Sequence, residues 1–148
     1  MKVVLQRVSS ASVSVAGECT GQIKEGFLIL FGAQEGDKAE DTTYLFNKIK
    51  HLRVFNDTNN KMNLSLLDIG GSVLVVSQFT LFGDCRKGRR PSFVRAAPPE
   101  EANRLYEKFC EEFLREGIQC ETGIFAADMQ VSLTNDGPVT LVLDTRAP

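Results

Sequence analysis

Only two stretches of this chain carry the apolar spacing of a helix, while most of the remainder alternates or clusters as short β-strands do. That ratio constrains the fold more than any single motif. Residues 2–8 are β-rich, and 10–15 alternate small polar residues with Ala and Val as a half-buried strand does. Val15-Ala16-Gly17-Glu18 supplies the next turn. Residues 26–33 and 73–81 read as buried strands. Residues 53–55 and 61–66 read as shorter ones, with Asn63 as a buried hydrogen-bonding group, and Asn56-Asp57-Thr58-Asn59-Asn60 as a turn between them. Residues 118–122, 129–134 and 139–143 complete the strands. Asp37 or Asp41 caps the first helix, whose apolar positions are Tyr44, Leu45, Ile49 and Leu52. The second starts at Pro98-Pro99-Glu100-Glu101, buries Leu105, Tyr106, Phe109 and Phe113, and stops at Gly117. Runs of strands interrupted by two helices predict an α+β fold. The expected form is a largely antiparallel sheet or barrel-like core with two main helices packed on it, as one domain over residues 1–148.

The 148 residues, 43% of them apolar, are enough to bury a core without disulfide or metal staples. The longest apolar run, Phe27-Leu28-Ile29-Leu30-Phe31, falls far short of the ~20 residues that cross a bilayer. The start, Met1-Lys2-Val3-Val4-Leu5-Gln6-Arg7, turns polar too early for a secretory signal. A soluble, cytoplasmic protein without a membrane partner is expected. Cys19, Cys85, Cys110 and Cys120 form no Cys-x-x-Cys pair, and the single histidine, His51, lies far from all of them in sequence. They read as reduced packing residues, and no metal or cofactor is expected.

The net charge of −2 hides a sorting along the chain. Between Cys85 and Pro99 stand Arg86, Lys87, Arg89, Arg90 and Arg95 with no acid, whereas seven glutamates crowd residues 100–121. One concentrated basic loop on an acidic protein suggests a local phosphate site rather than general nucleic-acid coating. A solvated charged loop is the plain alternative.

Three segments have the chemistry for a site. In Ser77-Gln78-Phe79-Thr80-Leu81-Phe82-Gly83-Asp84, an apolar strand runs into hydroxyl and amide side chains. With the backbone N–H groups of a broken strand end, these are the tools that polarise a carbonyl or hold an oxyanion; otherwise they merely cap the strand. Asn135-Asp136-Gly137-Pro138 reads either as a hairpin loop or as a rigid Gly–Pro gate with a cis bond. Phe125-Ala126-Ala127-Asp128-Met129 lines an apolar niche or packs in the core. A nucleophilic hydroxyl needs a neighbouring base, yet His51 sits at the polar end of a helix and no Gly-x-Ser-x-Gly elbow exists. A Ser-His-Asp hydrolase is therefore not expected, and proton transfer must come from water or substrate. A non-catalytic nucleic-acid-binding module and a small-metabolite esterase remain as rivals.

Taken together, these segments resemble the D-aminoacyl-tRNA deacylase family, over essentially the whole chain. Ser77-Gln78-Phe79-Thr80-Leu81 and Asn135-Asp136-Gly137-Pro138-Val139-Thr140 are similar to its two signature motifs. Val4-Leu5-Gln6-Arg7-Val8, Lys61-Met62-Asn63-Leu64-Ser65, Gly88-Arg89-Arg90-Pro91-Ser92-Phe93 and residues 122–129 fit between and around them. The resemblance implies a homodimeric enzyme with its active site at the subunit interface, cleaving the ester at the acceptor end of D-aminoacyl-tRNA and of mischarged glycyl-tRNA. It implies catalytic roles for Thr80 and Gln78, and substrate contacts from Ser77, Phe79, Phe125 and Met129. It also implies that Gly137-Pro138, with a cis bond, reaches from one subunit into the other's site and rejects L-amino acids. Arg86, Lys87, Arg89 and Arg90 would then hold tRNA phosphates. Two accounts stay open: Thr80 as nucleophile, or the substrate's ribose 2′-OH doing the work.

Overall fold

A computed structural model describes residues 1–147. Its spine is β1 (Lys2–Val15), one unbroken strand where two were expected. The polar residues near Ser9 and Ser10 do not end it, because the pairing slips around Val8 and absorbs them as an irregularity. Along β1 pair β3 (Gly26–Gly32) over its first half and β2 (Glu18–Ile23) over its second. The long strand β8 (Gln130–Asp144) pairs with β1 as well. β2 carried no strand signal, since only Gly21 and Ile23 of its residues are buried and the rest are polar or small.

β6 (Ser72–Ser77) lies parallel to β3, and the three-residue β7 (Cys120–Thr122) lies parallel to β6. The sheet order is therefore β2-β1-β3-β6-β7, with β8 attached to β1. The sheet is mixed: the pairs made by β1 are antiparallel, and the two made by β6 are parallel. Its ends nearly meet. The Thr20 hydroxyl on β2 donates to the Thr122 carbonyl on β7 at 3.4 Å, and a Cβ on Gly21 would stand 2.7 Å from that same oxygen. Glycine is required there for the sheet to curl into a near-barrel.

α1 (Ala39–His51) crosses between β3 and β6, and α3 (Pro99–Arg115) leads into β7. β3 alternates between two cores: Phe27, Ile29 and Phe31 face the helices, while Leu28 faces the barrel interior with Val8, Val13, Leu74 and Val76. Burial on both faces explains why β3 and β6 read as continuous apolar runs. On the helix side, Phe31 stacks on Phe109 at 5.1 Å and Phe46 meets Phe113 edge-on at 5.0 Å. Tyr44, expected in the buried face of α1, is 49% exposed, and Phe46 takes that role. Neither expected aspartate is the cap. Lys38 occupies that position, and its amide donates to Asp41 one turn in. Asp37 is wholly buried, accepting the Met1 ammonium at 2.6 Å and Arg146 at 2.9 Å.

Smaller differences lie between the helices. A two-stranded ribbon, β4 (Phe55–Asn56) with β5 (Met62–Leu64), replaces the expected 53–55 and 61–66 strands. Ser65 ends β5 because its hydroxyl caps a short helix, α2 (Leu66–Ile69), by accepting from the Asp68 amide. Asn63 is half-buried, and its side-chain oxygen accepts from Arg53.

Candidate active site at the end of β6

β6 does not run to Leu81 as the apolar pattern suggested. Its partner β3 stops at Gly32, so the Gln78 amide, donating to the Phe31 carbonyl at 2.7 Å, makes the last contact between them. The chain then tightens into a 3₁₀ turn over Phe79–Phe82, closed by Leu81 N–H on Gln78 and Gly83 N–H on Thr80. This break abolishes the strict alternation of a strand. The Gln78 side-chain amide donates to the Thr80 hydroxyl, so both groups share one exposed rim. The amides of Phe79 and Thr80 open the turn and have no backbone acceptor among the described residues.

Below the rim lies a cavity of about 810 Å³. Ser77, Gln78 and Phe79 line one side, and Phe125, Ala126, Ala127 and Met129 line another. The expected substrate-binding group of Ser77, Phe79, Phe125 and Met129 thus converges on one space, with Gln78. Thr80 sits beside it through Gln78. Ala33 and Glu35 from the end of β3, with Phe93 to Pro99, close the remaining side. Sequence reasoning missed this last wall. Its segment has no periodicity; beside one local turn bond, Ala96 N–H to the Phe93 carbonyl, tertiary bonds hold it: Glu35 N–H to the Arg95 carbonyl at 3.2 Å, and Ala97 N–H to the Ala33 carbonyl at 3.0 Å. Phe79 and Phe93 meet edge-on at 5.1 Å over the opening. Val94, also on the lining, is 82% exposed and leaves an apolar lip unpartnered.

The basic loop begins where Asp84 and Ser92 exchange backbone bonds and so pinch its base. Arg86 grips Asp84 at 2.6 Å, and this hydrogen bonding holds the Asp84 carboxyl well below the usual carboxylate range. Lys87, Arg89 and Arg90 are exposed and make no ion pair among the described residues. The loop therefore presents free positive charge beside the opening, while Arg86 is largely neutralised by its neighbour.

Asn135-Asp136-Gly137-Pro138 is not a hairpin loop. Both flanking segments belong to β8, which stays paired with β1 on either side of a register shift. The four residues bulge from that strand, with a cis Gly137–Pro138 bond, Gly137 at φ +133° and both residues exposed. Arg7 anchors the bulge from below. Its Nε donates to the Asp136 carbonyl at 2.9 Å and its Nη1 to the Val54 carbonyl at 2.6 Å. Gly137 and Pro138 do not line the cavity of their own chain. His51 also lies outside it, exposed at the end of α1, and no group of three or more His, Cys, Asp or Glu that could bind a metal exists among the described residues. No helix is long and apolar enough to cross a membrane.

The described residues thus form a near-barrel α+β domain with an apolar cavity under a hydroxyl–amide rim. Comparison with known proteins gives its family. The family profile for D-Tyr-tRNA(Tyr) deacylase matches residues 4–144. A D-aminoacyl-tRNA deacylase of Fervidobacterium nodosum is 57% identical over 146 residues, 99% of this chain and 98% of that one. One from Clostridioides difficile is 57% identical over 145 residues, 98% of this chain and 97% of its own. Among solved structures, the c-Myc DNA Unwinding Element Binding Protein superposes with a TM-score of 0.91 at 40% identity, covering 98% of this chain and 99% of that one. The chain belongs to the D-Tyr-tRNA(Tyr) deacylase family, and its activity is that of a D-aminoacyl-tRNA deacylase, a hydrolase.

Proposed function

We propose that the cavity at the end of β6 is where this deacylase cleaves its ester. The carrying observation is that hydroxyl, amide and unsatisfied N–H groups meet on one rim that holds no histidine, the Glu35 carboxylate lying on the separate wall that follows β3. The Phe79 and Thr80 amides polarise the ester carbonyl, and Gln78 and Thr80 orient the aminoacyl end. Water adds to the carbonyl carbon, the C–O bond to the ribose breaks, and the ribose oxygen leaves with a proton relayed by the adjacent 2′-OH. The products are free tRNA and the D-amino acid. Lys87, Arg89 and Arg90, with a lesser contribution from Arg86, hold phosphates of the acceptor end.

Stereochemical selection is assigned to Gly137-Pro138 of a second copy. Two features support this. The bulge is exposed and rigidly held by Arg7, and it stands away from its own chain's cavity. β8, with Leu133 37% and Val142 62% exposed, offers a long face for a partner. The working enzyme on this reading is a cytoplasmic homodimer with its site at the interface. L-residues are excluded by the Gly–Pro turn, and glycine, having no side chain to exclude, is also cleaved from tRNA.

Single-turnover hydrolysis of D-Tyr-tRNA with a normal or a 2′-deoxy terminal ribose tests the chemistry. Thr80→Ala is expected to stay within about tenfold of the parent, as loss of a positioning contact costs far less than loss of a nucleophile. The deoxy substrate is expected to resist cleavage. Near-complete loss in Thr80→Ala, with the deoxy substrate still cleaved, overturns the substrate-assisted route.

A further inference from the structure

The wall formed by residues 123–129 exists only because β7 leaves the sheet after Thr122. Along β6, the Val73 amide donates to the Gln119 carbonyl on the β7 side. Val75, two residues on, presents its polar groups to the same side, since strand residues alternate. Val75 pairs with Thr122, the last residue of β7. In a longer ladder the next donor to the Val75 carbonyl would be the Gly123 amide. Instead the Tyr106 hydroxyl, from α3, donates to that carbonyl at 2.8 Å. Tyr106 is 5% exposed, and its ring stands 6.0 Å from Phe125 on the departing wall and 6.0 Å from Phe31, which also lines the cavity. Burial pushes its phenol well above the ordinary value, so the group stays a neutral donor.

We infer that Tyr106 is a positioning residue for deacylation: its hydroxyl caps the β6 ladder at Val75, holding residues 123–129 off β6 and keeping the cavity open. A carbonyl left bare here has two ways to recover a partner, and both cost function. Gly123 zips onto β6 and draws Phe125 and Met129 across the cavity floor, or water enters beside Phe125. The Met129 sulfur fills the space where a Cβ on Gly123 would stand, so a shift of residue 123 displaces Met129 on the wall. The inference rests on the cavity being the reaction site.

The test compares three variants in steady-state D-Tyr-tRNA hydrolysis, at a temperature where all are folded. Tyr106→Phe removes only the hydroxyl. Phe46→Leu weakens the packing on Phe113, remote from the cavity, and controls for lost stability. Ala127→Phe fills the cavity. Tyr106→Phe is expected to lower kcat about tenfold with KM nearly unchanged, because a buried acceptor loses its donor beside the site. It is also expected to slow hydrogen exchange at the Gly123 amide or to raise it by water entry. Phe46→Leu is expected to lose a similar amount of thermal stability with kcat retained. Unchanged kcat and unchanged Gly123 exchange in Tyr106→Phe overturn the inference, as does an equal loss of kcat in Phe46→Leu. Full activity in Ala127→Phe overturns instead the assignment of the cavity as the reaction site.

Discussion

Arg7→Met removes the guanidinium beneath the Gly137–Pro138 bulge while keeping most of the apolar stem. Arg7 is 6% exposed and bonds the Val54 carbonyl at 2.6 Å and the Asp136 carbonyl at 2.9 Å. Hydrogen bonds from a charged donor contribute about 1.5–3 kcal/mol each. The Val54 bond counts near the full value because Arg7 is buried and its acceptor is half-buried. The Asp136 bond counts for less, since the bulge is exposed and water replaces the donor. The Asp136 carboxylate, 3.7 Å away and 57% exposed, adds little in solvent. The expected loss is about 2–4 kcal/mol, which lowers Tm by about 4–16 °C at roughly 2–4 °C per kcal/mol for a domain of this size. Thermal and urea unfolding read the loss, with the urea m-value unchanged. Parallel assays with D-Tyr-tRNA and L-Tyr-tRNA are expected to show reduced D-cleavage or relaxed stereoselectivity, as the bulge loses its anchor. A Tm within about 1 °C of the parent, with selectivity intact, would refute the claim that Arg7 holds this bulge.

Four further outcomes are expected. Paired neutralisation of Lys87 with Arg89, or Arg89 with Arg90, weakens tRNA binding and reduces the log–log salt slope by about 0.7–0.9 per lost phosphate contact; an unchanged slope in filter-binding titrations contradicts phosphate contact by this loop. Gly21→Ala forces a Cβ against the Thr122 carbonyl and costs about 1–3 kcal/mol by strain, measured by denaturant melts, with activity falling because Thr122 precedes the cavity wall. The Cys110 thiol is pushed up by the neighbouring Cys120 thiol and by burial, so its stabilising effect is complete below the unfolded thiol value and is lost as pH rises beyond it. Stability is therefore expected to decline above about pH 8.5, and Cys110→Ala is expected to flatten that decline. In native protein a thiol reagent should label the exposed Cys19 and Cys85 and spare the buried Cys110.

The local signals in the sequence were strong where a segment's own pattern suffices. Pro99, Glu100 and Glu101 at the start of α3, and Leu105, Phe109 and Phe113 on its buried face, follow from spacing and end effects alone. The runs that became β3 and β6 are apolar on both faces, so their burial was legible without knowing their partners. Ser77, Gln78 and Phe79 stood out because polar groups follow an apolar strand, and the family motifs linked them to Phe125 and Met129. Other features depended on neighbours distant in sequence. β6 breaks after Ser77 because β3 has ended, not because residues 78–81 are poor strand formers. β2 exists because β1 supplies its hydrogen bonds, and β8 runs through Gly137-Pro138 because β1 pairs with it on both sides of the bulge. The Arg7 anchor, the Phe93 wall and the Tyr106 cap join residues separated by 129, about 60 and 31 positions, respectively. A sequence pattern reports the burial and propensity of neighbouring residues, whereas a hydrogen bond between remote backbone groups leaves no periodic trace. The chain's sequence therefore determined α3, the two buried strands and the chemistry of its motifs, and the closing of the sheet decided the remaining strands and which of those motifs share a cavity.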